Sequence, residues 1–292
     1  MTKRKKLQEL TIKDNFMFGA VMVNEDICKE LLELILGFSI EKVTVDKEKS
    51  IVYHPEYKGV RLDITAADEN RTHYNIEMQV KAKRSLGRRN RYYHSQIDVE
   101  LLLAGLDYEE LPDSYVIFIC DFDPFGSKKY RYTFEPTCKE DPSISLDDGN
   151  HTIFLSTKGN NKSDVPEGLV NFLEYVESGH YNNAVGVQDD FVNRLQKAVE
   201  NVIKSREMEG RYMLFKEMLD EEKAEGRAEG RIEGRAEGKA EDILDLLSDF
   251  GMIPDKLREK ILQEKDLDIL CSYLKKAAAS KSIEEFETLI KN

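Results

Sequence analysis

The spacing of apolar and polar positions divides the chain into a helical start, a strand-rich middle and a long helical end. Residues 9–36 read as two helices. The first runs from Thr11 to Met22 and breaks at Val23-Asn24; the second carries Ile27 to Leu36, with Asn24 or Glu25 opening it and Gly37 as its C-cap. From Ile40 the period changes to two. Val43, Val45 and Ile51-Val52 suggest a strand or two, and Gly59–Ala66 and His73–Lys81 are clear strands joined as a hairpin by the polar segment Ala67–Arg71. Ser85–Leu106 reads as a helix, and Ser114–Cys120 is a continuous apolar run of the kind found in a buried central strand. Short strands follow at Tyr130–Phe134 and Thr152–Leu155, then a helix at Glu167–Val176.

Beyond about Gly186 every apolar spacing is helical: Phe191, Leu195, Ala198 and Val202, then Met208, Tyr212, Phe215 and Leu219. An Ala-Glu-Gly-Arg tract of period four occupies Ala224 to Ala240. Its glycines cost roughly 1 kcal/mol each in a helix interior, and Glu225, Glu229, Glu233 and Glu237 fall in one like-charged stripe. Two readings stay open, a dimerising helix with close backbone approach and a solvated spacer; the second is favoured, because Gly-x-x-x-Gly packing belongs mainly to membranes. Segments 243–250, 255–262, 267–278 and 282–290 complete a small helical bundle. The expected domains are 1–185, an α/β core; 186–241, the long helix with its repeat; and 242–292, the bundle.

Candidate chemistry lies in the hairpin. Arg61, Asp63 and Thr65 share one face of its first strand; Asn75, Glu77, Gln79 and Lys81 share one face of its second, opposite Ile76, Met78 and Val80. A carboxylate on each strand can converge on one hard cation, Mg²⁺ or Mn²⁺, which prefers oxygen ligands and retains water. On spacing alone, a half-exposed hairpin with a polar outer face explains the same alternation. The next segment tips the balance. Lys81 to Arg91 holds six positive charges in eleven residues and no acid: Lys81, Lys83, Arg84, Arg88, Arg89 and Arg91. Cations at a helix start oppose its macrodipole and need another reason to be there.

Charge and composition narrow the classes. A net charge of −13 argues against a passive nucleic-acid coat, though not against an enzyme with a local basic groove. No apolar run approaches a membrane span and no signal-peptide core follows Met1–Lys6, so the expected location is the cytoplasm. The four cysteines and five histidines are scattered, without zinc-site or disulfide spacing. No glycine-rich nucleotide loop is present to support a metabolic enzyme.

Asp63, Glu77-x-Gln79 and Arg89-Asn-Arg-Tyr-Tyr93 together resemble the Rpn family of recombination-promoting nucleases, PD-(D/E)XK family transposases. So do Lys13-Asp-Asn-Phe-Met-Phe18, Tyr115–Gly126, Phe154–Gly159 and the Glu-Gly-Arg repeat. The resemblance implies a restriction-endonuclease-like α/β fold, a mixed sheet flanked by helices, here followed by the long helix and bundle. It implies Mg²⁺-dependent (or Mn²⁺-dependent) endonucleolytic cleavage of DNA, with Asp63 and Glu77 as metal ligands and Gln79 in place of the motif's lysine. Lys81, on the same face, is a candidate to replace that lysine's charge. Asp14 is either a third acid near the metal or the cap of the first helix. Arg88, Arg89, Arg91 and Tyr92 are expected to engage the nucleic acid. Cutting both strands with a single-site enzyme favours a homodimer. The rival is a catalytically silent DNA- or protein-binding module assembled through its C-terminal helices, favoured by the missing lysine and the acidic net charge.

Overall fold

The computed structural model describes residues 5–46, 50–51, 60–61, 64–82, 85–102, 107–179 and 189–291. The chain divides into two compact units, Met1–Tyr212 and Met213–Asn292.

The first unit opens with α1 (Asn15–Met22) and α2 (Glu25–Leu36). Asn24 caps α2 by accepting from the amides of Asp26 and Ile27, and Gly37 ends it at φ +82°, a conformation in which a glycine carries no Cβ penalty. Strands β1 (Val43–Asp46), β4 (Ile64–Asp68), β5 (His73–Gln79), β6 (Ser114–Cys120), β7 (Arg131–Phe134) and β8 (Asn150–Ser156) form a mixed sheet in the order β1-β4-β5-β6-β8-β7. Two short strands, β2 (Ser50–Ile51) and β3 (Val60–Arg61), pair separately. β4 and β5 are the expected hairpin, pairing Ile64 with Ile76 and Ala67 with His73. β5, β6 and β8 run parallel, with Glu77 beside Phe118 and Phe118 beside Phe154. β6 is the buried strand its apolar run predicts, with Val116 to Cys120 fully covered.

Parallel strands need helical crossovers, and the sheet is accordingly covered on both faces. Helix α3 (Leu86–Leu101) lies over one face, where Leu86, Tyr93 and Ile97 pack on Val116, Phe118, Cys120 and Phe154. The opposite face, Ile76, Met78, Ile117, Ile119, Ile153 and Leu155, is equally buried. It belongs to the helical layer of α1, α2, α4 (Glu167–Ser178) and α5 (Asp190–Lys204), which α2 joins to β1. The division at 185 read from the sequence falls before α5; in the structure Phe191, Val192, Leu195 and Val199 of α5 are buried, and α5 packs on α1, α2 and α4 within the first unit.

Helix α6 (Arg206–Ser248) is continuous through the glycine repeat. The segment expected as the bundle's first helix is therefore the last two turns of α6. In the second unit Ala236, Ala240, Ile243 and Leu247, spaced by four and three, pack with Leu257 and Ile261 of α7 (Asp255–Gln263), Leu270 and Tyr273 of α8 (Leu267–Ala279) and Phe286 of α9 (Ile283–Lys291). A Cβ added at Gly226, Gly230, Gly234 or Gly238 would meet nothing within 4 Å. Among the described residues no helix is long and apolar enough to cross a membrane.

Candidate active site

The polar face of β5 is buried, not solvated. Asn75, Glu77 and Gln79 are all covered, with Glu77 2% exposed. They alternate with Tyr74, Ile76 and Met78, so their common direction follows from the strand period, and α3 closes over them. Burying a carboxylate is expensive unless a cation and hydrogen bonds compensate it. Arg89, from the first turn of α3, supplies the cation. Its Nη2 donates to Glu77 Oε2 at 3.0 Å and its Nη1 to Gln79 Oε1 at 3.1 Å. Nε donates to the Tyr93 hydroxyl at 2.9 Å, Nη2 also meets that hydroxyl, and the guanidinium carbon sits 5.1 Å from the Tyr93 ring centroid. The Tyr93 hydroxyl lies 3.4 Å from Glu77 Oε2. Arg89 and Tyr93 are four apart on a helix and so share one side of it. That spacing aims both at the acid.

The other expected site residues distribute differently. Arg88 and Arg91 are exposed on α3, and Tyr92 is half-buried against the α3–sheet core. Lys81 is exposed beyond the end of β5, and no hydrogen bond or ion pair among the described residues joins it to Glu77. Asp14 takes the N-cap position of α1 without a side-chain bond to that helix; its carboxylate accepts from the Thr11 amide at 2.9 Å and from Lys5 Nζ at 2.9 Å. Asp63, with Lys83 and Arg84 of the basic run, lies outside the described residues.

A second polar group on α3 escaped the sequence reading, which treated the histidines as ordinary. Asn90 and His94, again four apart, each stand one residue after Arg89 and Tyr93 and face β6 and β8. Asn90 Nδ2 donates to Thr152 Oγ1 at 2.7 Å, His94 Nε2 lies 3.2 Å from that same oxygen, and His94 Nδ1 lies 2.8 Å from Ser114 Oγ. Burial pulls His94 from its ordinary 6.5 down to about 4, against a smaller opposing pull from Asp148, so it is neutral at physiological pH. Spacing of four on the helix after an acid-bearing strand was the available signal.

At the C-terminal end of β6, Asp121 receives Lys13 Nζ at 2.7 Å and the Thr157 hydroxyl at 3.1 Å, with Lys158 Nζ at 3.6 Å. Its amide donates to the Gln79 carbonyl at 2.9 Å, which extends the β5–β6 ladder by one residue. Lys13 and Asp121 come from two segments of the sequence resemblance, Lys13–Phe18 and Tyr115–Gly126, and here they tie those segments together.

The structure thus puts a buried glutamate on β5 of a mixed sheet, under a helix that carries exposed arginines, whereas the sequence alternation left the cover of that face open. Comparison with protein families returns the model of the PD-(D/E)XK nuclease family transposases, matching residues 15–177, more than half of the chain. The chain belongs to this family. No curated protein and no solved structure matches it. The matched span runs from α1 to α4 and so includes the whole six-stranded sheet of the PD-(D/E)XK fold and both polar groups on α3.

Proposed function

We propose that the chain is a divalent-metal-dependent endodeoxyribonuclease acting in the cytoplasm, with Asp63 and Glu77 as its metal-binding acids. Family membership supports the nuclease class; the buried Glu77 carboxylate on β5 is the observation that carries the reading. Ile64 pairs with Ile76, and Asp63 precedes the one in sequence as Glu77 follows the other. The alternation of the sequence, which sets both acids on polar positions of the hairpin, is the ground for pairing them in this reading.

The described donors suit a hard cation in kind: the Glu77 carboxylate, the Gln79 amide oxygen, and on the same face Asn75 and Thr65, whose buried Oδ1, Nδ2 and Oγ1 atoms have no hydrogen-bond partner. Among the described residues no three of His, Cys, Asp or Glu group as a metal site; in this reading Asp63 supplies the second acid beside Glu77. A divalent ion, when bound, supplies Lewis acidity and an activated water for attack on a phosphodiester. The protein's own part is positional. Glu77 is held by Arg89 and Tyr93, and the Arg89 guanidinium, only partly covered, is placed to transfer its hydrogen bonds from the carboxylate to a phosphate oxygen once other charge compensates Glu77. Arg88 and Arg91, exposed on the same helix, add phosphate contacts along the strand.

Asp63→Ala and Glu77→Ala are each expected to reduce Mg²⁺-dependent plasmid nicking by at least about 100-fold and to abolish the calorimetric Mg²⁺ or Mn²⁺ signal, while circular dichroism shows a folded chain. Equal nicking by wild type and both variants would remove the assignment. The Arg89–Glu77 pair itself favours a second reading, a silent binding module in which arginine permanently neutralises the acid. Its mark is DNA binding that is independent of metal, without cleavage.

A further inference from the structure

A cavity of about 390 Å³ opens beside the Glu77 site, between α3 and the β7–β8 edge, within the roughly 300–1,000 Å³ typical of ligand clefts. Asn90, His94 and Thr152 line its buried part, and Arg91, Asp98 and Phe134 lie nearer its mouth. The hydrogen bonds of the buried groups run in one direction. Neutral His94 carries a single N–H. With Asn150 Nδ2 on the Asp148 carboxylate at 3.1 Å, Asn150 Oδ1 accepts from Ser114 at 3.2 Å. Ser114 accepts from His94 Nδ1, His94 Nε2 accepts from Thr152, and Thr152 Oγ1 is left to accept from Asn90 Nδ2. This fixes the orientation of the Asn90 amide and leaves its Oδ1 as a buried acceptor with no partner. An orphaned buried acceptor is costly unless a donor arrives.

We infer that this cavity is a nucleobase pocket, which takes one base of the DNA strand in single-stranded or extruded form, with a base N–H donating to Asn90 Oδ1. The inference rests on the nuclease reading above. Phe134, 46% exposed, offers a ring on which a base can stack, and exposed Arg91 stands beside it to meet the adjoining phosphate. Asp98 lines the cavity too, and burial, helped by Asp148, raises its carboxyl above the ordinary range. A base inside a duplex cannot turn its edge into a cleft between a helix and a sheet edge, so the occupant must be unstacked. Asn90 and His94 each follow, by one helix position, Arg89 and Tyr93, which hold Glu77, so one helix carries both groups.

The test uses the full chain in EDTA and two labelled five-unit strands, one with a single adenine among abasic sugar-phosphates, the other wholly abasic and of equal charge. Fluorescence anisotropy should show the adenine strand binding about tenfold tighter or more. Ser95→Phe, at an exposed α3 position lining the cavity, fills it without touching the hydrogen-bond chain, and Asn90→Leu removes the acceptor. Each should erase the difference while leaving the abasic strand's affinity unchanged, with thermal melts confirming the fold. Equal affinities in the wild type, or a difference that survives Ser95→Phe, would overturn the pocket. Failure of the nuclease reading is separate: it appears as absent plasmid nicking, whichever way the strands bind.

Discussion

The two faces of the central sheet are equally buried and both carry apolar side chains, but only one of them also buries a row of polar groups. On one, Ile76, Met78, Ile117, Ile119, Ile153 and Leu155 meet a helical layer with no polar side chain among these six. On the other, β5 sends Asn75, Glu77 and Gln79 under α3, and Thr65 and Thr152 join them. Every buried side-chain atom lacking a hydrogen-bond partner among the described residues lies on Thr65, Asn75 or Asn90, at this second face. Close packing of apolar groups contributes stability directly, whereas unpartnered buried polar atoms subtract from it. Both faces thus contribute apolar packing, and the α3 face in addition gives up stability to keep charge and hydrogen-bonding capacity in place.

The largest effect should come from the apolar face. Ile117 is fully buried between Ile76 and Ile153 on the central strand. Ile117→Ala removes three carbons and leaves a cavity, at a cost of about 2–5 kcal/mol. Urea unfolding should show the lower midpoint, while nicking per folded molecule stays at the wild-type level. A variant that unfolds normally but no longer nicks would show that the two faces are not separable.

The polar face should instead answer to pH. His94 has a folded value of about 4 against an ordinary 6.5. Between these values the unfolded chain binds a proton that the folded chain refuses, so acidification favours unfolding. No loss arises above pH 6.5. The loss grows as pH falls through that window and reaches on the order of 3 kcal/mol below pH 4. Denaturation from pH 7 to 4.5 should show wild type weakening more than His94→Gln; parallel curves would mean that His94 titrates as it does in water.

Much of this contrast was legible beforehand, though not its meaning. The apolar run 114–120 announced a buried strand because continuous hydrophobicity has few other uses in a chain of this charge. Alternation along 73–79 correctly separated the two faces of β5. It could not say what covers them, since the period records direction and not the neighbour, and the polar face read equally well as solvated. Arg89 looked like one more phosphate-binding cation among six; only helix geometry turns it, with Tyr93, onto Glu77. The spacing of Asn90 and His94 hinted at a shared face, but the partners of His94, Ser114 and Thr152, are 20 and 58 residues away and could not be read from it. The boundary between the long helix and the bundle failed for a different reason, because α6 passes through both without a break.

The smallest predicted effect is the sharpest on the polar face. Thr65, 7% exposed on β4 and paired with Asn75, has a buried hydroxyl with no partner. Valine matches its shape and its preference for a strand. Thr65→Val therefore deletes an unsatisfied group without opening a cavity and should stabilise the chain by about 1 kcal/mol, opposite in sign to Ile117→Ala. The same change should weaken Mg²⁺ binding if the hydroxyl serves the proposed metal site, so calorimetry on the variant reads the trade directly. Should Thr65→Val destabilise instead, the hydroxyl is bonded to ordered water in the folded molecule, and the polar face would be a satisfied core that gives up no stability.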